Sequence, residues 1–235
     1  MKRFKRFSLL SLLILITAFG VWFGVSSNRA GKLRRAVEAL SNAGCRIGYD
    51  FQYDGLRSIA NLKPPGPEYL RKLLGDEHFV DVVNLSFQSN ERTTNQDLEY
   101  IKDLPNVRRL DLDYTVVDEI EPVKHLARLQ WLDLEETKIS SDDLRHLKEL
   151  RQLKILVLTK TSVDDSGLQH LVGLGNLDEL RLNETKITDS CVEHLFLLKN
   201  LTTLELCGTE VTSEAVNRLK TALPNCSIAW GDDGY

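Results

Sequence analysis

The sequence is poor in several residue types at once: four cysteines, one methionine, six prolines and 7% aromatics in 235 residues. So few cysteines exclude a small fold held by a disulfide framework. There is no Cys-x-x-Cys, no glycine-rich phosphate loop and no Gly-x-Ser-x-Gly turn. Paired redox thiols, nucleotide phosphate cradles and hydrolase nucleophile elbows are therefore not signalled. Acid is missing from residues 1–35, which carry eight Lys and Arg; with −4 for the whole chain, the remainder stands at −12. A folded part so acidic repels phosphate backbones, which argues against nucleic acid as a partner. What is present, 42% hydrophobic and 27% charged residues, suffices for one packed domain and does not indicate disorder.

The basic end has a simple cause. A tail, residues 1–6, with Lys2, Arg3, Lys5 and Arg6 precedes an uncharged run of nineteen residues, Phe7 to Val25. About twenty apolar residues cross a hydrocarbon core as a helix. A cleaved signal peptide competes with a retained anchor. The run is longer than the usual apolar signal segment, and Val25-Ser26-Ser27 is only a passable cleavage site, so residues 7–25 are expected to stay as a single-pass transmembrane anchor. No lipobox-like Cys follows, so no lipid anchor is signalled. Arg29, Lys32, Arg34 and Arg35 balance the charges before the run, and side chains alone give no orientation. The short tail with its α-amino group favours an inside N-terminus, with the rest of the chain on the exoplasmic or periplasmic side.

Internal repetition dominates the rest of the chain. Leu-x-Leu pairs stand at Leu110/Leu112, Leu132/Leu134, Leu156/Leu158, Leu180/Leu182 and Leu204/Leu206. A threonine follows each, Thr115, Thr137, Thr161, Thr185 and Thr209, at steps of 22, 24, 24 and 24 residues. A degenerate earlier copy begins at Val83-Asn84-Leu85. Alternation around each pair predicts a half-buried strand, and the Thr-x-Ile stretch a turn. Helix N-caps are expected at Thr94, Asp118, Ser140, Asp164, Thr188 and Thr212, with Asp142, Asp165, Asp189 and Glu214 favoured in the first turn by the helix dipole. Leu144/Leu147, Leu168/Leu171, Val192/Leu195 and Val216/Leu219 supply the buried face of each helix. No such unit buries its apolar side alone, so neighbours must stack.

The pattern Leu-x-Leu-x-x-Thr-x-Ile-Thr-Asp, with its helical Val-x-x-Leu, resembles leucine-rich repeats of the ribonuclease-inhibitor-like and cysteine-containing subclasses. The latter usually carry Cys or Asn where this chain has Thr. That departure, and the lack of an F-box in residues 26–79, separate it from F-box substrate adaptors. It is more similar to membrane-anchored bacterial repeat proteins with Thr-rich 24-residue units. The resemblance implies an α/β solenoid over residues 80–228, with a curved parallel sheet inside, helices outside and a protein-binding role. Residues 26–79 are expected to cap it: a helix over Leu33–Ala43 ended by Gly44, a strand over Arg46–Tyr53, a break at Pro64–Pro67 and a short helix over Glu68–Leu74. A last strand follows Leu223-Pro224-Asn225-Cys226, and residues 229–235 form a tail. With strands ~4.8 Å apart, Cys45 stands far from Cys191, Cys207 and Cys226, so at most one intramolecular disulfide can form.

Candidate functional residues lie on the inner face. One column is Arg109, Trp131, Ile155, Glu179, Thr203; the next is Asp111, Asp133, Val157, Arg181, Glu205; a third is Asp113, Glu135, Thr159, Asn183, Cys207. Arg109, Asp111, Asp113, Trp131, Asp133, Glu135, Ile155, Val157 and Arg181 together make the expected partner-binding surface. Trp131 beside Ile155 and Val157 leaves an apolar patch ringed by acids, the makings of a binding hot spot, unless a lid segment or the curvature covers it. Asp111, Asp113, Asp133 and Glu135 would suit acid–base work or a weak Ca²⁺ site only with a desolvated pocket, which an open sheet supplies poorly. They read as a solvated acidic patch. His125, His146, His170 and His194 share one helical register, with Tyr100 and Arg218 at its ends; with helices ~10 Å apart, shared metal ligation would be strained, leaving packing, metal binding or pH sensing as readings. No catalytic residue, metal, cofactor or small-molecule substrate is indicated. The expected role is a non-catalytic interaction module displayed at a membrane, the alternatives being a self-associating cell-envelope component and, third, a metal-dependent enzyme.

Overall fold

The computed structural model describes residues 9–54, 56–59, 62–88 and 92–231. Its first element is one uninterrupted helix, α1 (Leu9–Asn42). The expected cap helix is its C-terminal part, where Ala30, Leu33, Ala36 and Leu40 are buried at helical spacing. Gly44, at φ +82°, ends it, and Cys45 N–H reaches back to the Leu40 carbonyl at 2.9 Å. The membrane anchor expected over residues 7–25 falls partly outside the described residues, as do the side chains of 9–16. Among the described residues no helix is long and apolar enough to cross a membrane.

The stretch expected as one strand after Gly44 is split. β1 (Arg46–Tyr49) is followed by a 3₁₀ turn, Asp50–Gln52, and a hairpin of β2 (Tyr53–Asp54) with β3 (Arg57–Ser58). The short helix α2 (Glu68–Leu74) forms as expected. Then β4 (Val82–Ser86), the degenerate copy, starts the repeats. After it the convex-side helix α3 (Asn95–Leu98) and the strands β5 (Arg109–Asp111), β6 (Trp131–Asp133) and β7 (Ile155–Val157) follow. The chain continues through α4 (Asp165–Leu168), β8 (Glu179–Arg181), α5 (Val192–Leu195), β9 (Thr203–Glu205), α6 (Ser213–Ala222) and β10 (Ser227–Ala229). An eight-stranded sheet runs β1-β4-β5-β6-β7-β8-β9-β10. Every pair from β4 onward is parallel, and β1 closes the N-terminal edge antiparallel, Ile47 opposite Leu85. The α/β arrangement, with one strand contributed per repeat, resembles a leucine-rich repeat solenoid.

Register is set by the leucines. Leu85, Leu110, Leu132, Leu156, Leu180 and Leu204 pair in sequence across the sheet and are fully buried. A one-residue slip would turn the whole row to solvent. The threonine column also has a physical account. Thr115, Thr137, Thr161, Thr185 and Thr209 each donate their hydroxyl to the carbonyl three residues back, at 2.6–2.7 Å. That bond satisfies a buried acceptor at the end of each Leu-x-Leu.

One turn feature was not expected. Tyr114, Glu136, Lys160 and Glu184 have φ between +53° and +57°, and Gly208 holds the same place at +66°. A side chain there costs about 1–2 kcal/mol. In return each N–H reaches a carbonyl of the next unit, such as Lys160 to Asn183 at 2.9 Å, extending the ladder beyond the strand.

The convex side is less helical than expected. Four one- or two-turn 3₁₀ segments, at Glu99–Asp103, Glu121–His125, Ser141–Leu147 and Asp189–Cys191, stand among the single-turn α3, α4 and α5. Among the described residues of the repeats only α6, with ten residues, is a longer α-helix. A 3₁₀ turn rises ~2.0 Å per residue against ~1.5 Å for an α-helix, so a short return leg spans the unit with fewer residues. Thr94, Ser140, Asp164, Thr188 and Thr212 are N-caps as expected. Asp118 is not; that segment begins later, at Glu121 with Pro122 in its first turn. This unit is the one with the 22-residue step, and Asp118 instead exchanges hydrogen bonds with Asn95 of the preceding unit.

The first-turn acids do more than complement a dipole. Asp165 accepts from the N–H and hydroxyl of Thr188 at 3.0 and 2.6 Å. Asp189 does the same for Thr212 at 2.7 and 2.8 Å. Each carboxylate thus ties its own unit to the cap of the next. Gly167 is buried in this layer, where an added Cβ would come within 2.8 Å of Leu144 Cδ1 and 3.1 Å of Ser141 Cα.

Candidate functional site

The inner wall is built from the strand residues that flank the buried leucines. Arg109, Trp131, Ile155, Glu179 and Thr203 are paired rung by rung, and so are Asp111, Asp133, Val157, Arg181 and Glu205. Both columns continue N-terminally, to Asn84 and Ser86 on β4 and then Gly48 and Arg46 on β1.

The expected residues do come together, but their exposure differs from expectation. Trp131 is half-buried, with the Arg109 guanidinium 4.0 Å from its ring centroid. No lid segment is needed; the neighbouring rung supplies the cover, and a cation on an indole face is itself favourable. The Trp131 indole nitrogen is buried with no hydrogen-bond partner among the described residues. Val157 keeps its place in the inner column between Asp133 and Arg181 but is only 2% exposed, covered by its neighbours. The apolar patch is therefore smaller than the sequence suggested, reduced to Ile155 and the free part of Trp131. Arg181 is held between Glu179 at 2.5 Å and Glu205 at 3.4 Å.

The acidic end corrects a second expectation. It is not fully solvated. Asp111 is 8% exposed, its carboxylate 3.6 Å from Arg109 and accepting from Asp113 N–H at 3.4 Å. Asp133 accepts from Glu135 N–H at 3.1 Å, and Glu135 from the Tyr114 hydroxyl at 3.2 Å. One oxygen of Asp113 is buried with no partner among the described residues. Burial first, then the hydrogen bond and negative charge of Asp111, push the Asp113 carboxyl up to about 7. Burial likewise pushes Asp133 up to about 6, against the opposing hydrogen bond from Glu135. Rungs ~4.8 Å apart leave little water between stacked carboxylates. This end of the wall thus takes up or releases protons near neutral pH and would welcome a cationic group.

The histidine register holds no comparable site. His125 is exposed while His146, His170 and His194 are half-buried, and burial lowers the His146 pKa. Among the described residues no three His, Cys, Asp or Glu are grouped to hold a metal. Arg218 lies 5.8 Å over Phe196 and pairs with Glu193 at 3.0 Å. Cys45, Cys191, Cys207 and Cys226 are free thiols, and burial pushes Cys45 and Cys191 up to about 12, keeping them protonated and inert.

Sequence reasoning missed the N-terminal head of the wall. There a cavity of about 260 Å³ is lined by residues of β1, β4 and β5 together with Tyr53 and Gln88. The available signal was the degenerate copy at Val83-Asn84-Leu85, whose outward residues continue both columns.

No protein-family model matches the chain, and no curated protein matches it. Among solved structures, an internalin F from Listeria monocytogenes is 23% identical with a TM-score of 0.49, covering 58% of this chain and 38% of its own. The match thus spans about two-fifths of that protein. Internalin C2 from the same organism is 21% identical with a TM-score of 0.49, over 63% of this chain and 80% of its own. A leucine-rich repeat protein of Leptospira interrogans is 22% identical with a TM-score of 0.43, over 55% of this chain and 38% of its own. At these identities the likeness concerns repeat architecture, and this chain is similar to them in that respect alone.

Proposed function

We propose that the chain is a non-catalytic protein-binding module that grips its partner through the inner wall of the solenoid and is displayed at a membrane by residues 7–25. The observation carrying this reading is the in-register wall itself. Side chains from successive strands are held at fixed spacing on a stiff sheet, with an acidic end at Asp111, Asp113, Asp133 and Glu135 beside half-buried Trp131 and Ile155. Preordered side chains lose little entropy on binding, and a partly covered aromatic bordered by charge is the usual anchor of an interface. The complementary surface on the partner is basic with an apolar centre. Membrane display rests on the nineteen uncharged residues of the sequence, with the repeats on the exoplasmic or periplasmic side.

Capture of a partner by the full chain from a detergent-solubilised native membrane extract tests the wall. Trp131→Ala, or Asp111→Lys with Asp133→Lys, should abolish capture while circular dichroism stays unchanged. Retained capture by both variants would place the contact elsewhere on the molecule. Protease protection of the repeats in sealed vesicles tests the display and its side.

A further inference from the structure

The cavity at the head of the wall has a chemistry unlike the acidic stretch beside it. Arg46 donates to the neutral Gln88 side chain at 2.9 Å and meets no carboxylate among the described residues. Arg109 has Asp111 at 3.6 Å, long for a charge-assisted hydrogen bond. Two guanidiniums therefore face one carboxylate within a domain of opposite net charge. Asn84 adds a second demand. Its amide donates to the Tyr53 hydroxyl at 2.9 Å, while its carbonyl oxygen is buried with no partner among the described residues. A buried acceptor left empty is costly. The Tyr53 ring packs directly on Gly48, in space that a Cβ there would occupy.

A ligand that fills both demands brings an anion for Arg46 and Arg109 and an N–H for Asn84, a few bonds apart. We propose that this cavity, bounded by Arg46, Asn84, Tyr53 and Arg109, receives a carboxylate with a neighbouring amide N–H, the acidic group of a polypeptide. Planar carboxylate on guanidinium is the favoured pairing, and the volume fits one residue rather than a folded element. The inference rests on the reading of the wall as a protein-binding surface and names one group of the partner. An acid seated here and a base on Asp111, Asp113 and Asp133 give the bound segment a fixed direction along the wall.

The test is NMR titration of arginine side-chain resonances in the full chain in detergent micelles, with four probes. N-acetylglycine presents a terminal carboxylate, N-acetylaspartate N-methylamide a side-chain carboxylate, N-acetylglycinamide none, and inorganic phosphate an anion without an amide. One or both carboxylates should shift the Arg46 and Arg109 signals saturably, and the neutral amide should not. Arg46→Gln, an exposed change, and Asn84→Leu, which removes the acceptor without adding charge, should each weaken that binding by about 10-fold or more. Which carboxylate binds more tightly identifies a chain terminus or an acidic side chain as the source. No saturable shift with either, or equal shifts with inorganic phosphate that ignore Asn84→Leu, would overturn the proposal. Failure of the pocket alone is distinguishable: Trp131→Ala would still lose the partner. Failure of the wall reading would leave capture by Trp131→Ala intact.

Discussion

Thr161→Val is the most informative single substitution. The threonine is buried, and its hydroxyl donates to the Leu158 carbonyl at 2.7 Å. That carbonyl also receives the Thr161 N–H, but at 3.3 Å, which is near the limit of a useful interaction. Valine keeps the shape and β-branching but removes the donor, leaving a buried acceptor poorly satisfied. A net hydrogen bond contributes about 1 kcal/mol and an orphaned acceptor costs about 1–3 kcal/mol, so the loss should be about 1–2 kcal/mol. In a folded part of this size that lowers Tm by about 2–8 °C. Urea unfolding followed by circular dichroism reads it as a lower midpoint with the slope unchanged. Thr161→Ser retains the donor but deletes a buried methyl worth about 0.8 kcal/mol, and restoring that methyl without the hydroxyl, as valine does, should not recover stability. A valine variant as stable as the parent would refute the account of the threonine column.

Gly167→Ala should destabilise by about 1–3 kcal/mol through overpacking against Leu144 and Ser141; a variant within experimental error of the parent in urea would contradict that close approach. Glu184→Gly, at φ +54°, should be neutral to stabilising by up to about 1 kcal/mol, while Gly208→Ala should destabilise; the reverse order in thermal melts would be inconsistent with the left-handed turn. Asp133 and Asp113 bind protons more tightly folded than unfolded, at about 6 and about 7 against 3.8, so stability should fall as pH rises from about 4 to about 7. Asp133→Asn should flatten that slope, and a midpoint that instead climbs over this range in the parent, or the same slope in the variant, would count against the buried acid cluster. A basic partner would displace those protons, so its affinity should strengthen over the same range, measurable by calorimetry in buffers of different ionisation heat.

Much of the fold was legible in the sequence, because the period and the leucine spacing act on every unit at once. The strand registers, the inner columns and five of six caps could be read directly. Asp118 could not, since a two-residue shortening and Pro122 moved the start of its segment. The exposure of Trp131 and the desolvation of Asp133 depend on what the neighbouring rung carries, so they are read across columns rather than along the chain. Left-handed turns filled by Tyr114, Glu136, Lys160 and Glu184 lack the glycine that would announce them. The antiparallel β1 edge, and with it the Arg46 cavity, depends on a cap with no repeat pattern to read.

The bonds from Asp165 to Thr188 and from Asp189 to Thr212 run one way. A later unit borrows a carboxylate from the one made before it, whereas the earlier unit needs nothing from its successor for its own cap. The left-handed turns lean the opposite way, each N–H reaching a carbonyl of the unit that follows, as from Lys160 to Asn183. An internal unit is therefore clamped from both sides, and excising one would strip a cap from its successor and a turn partner from its predecessor.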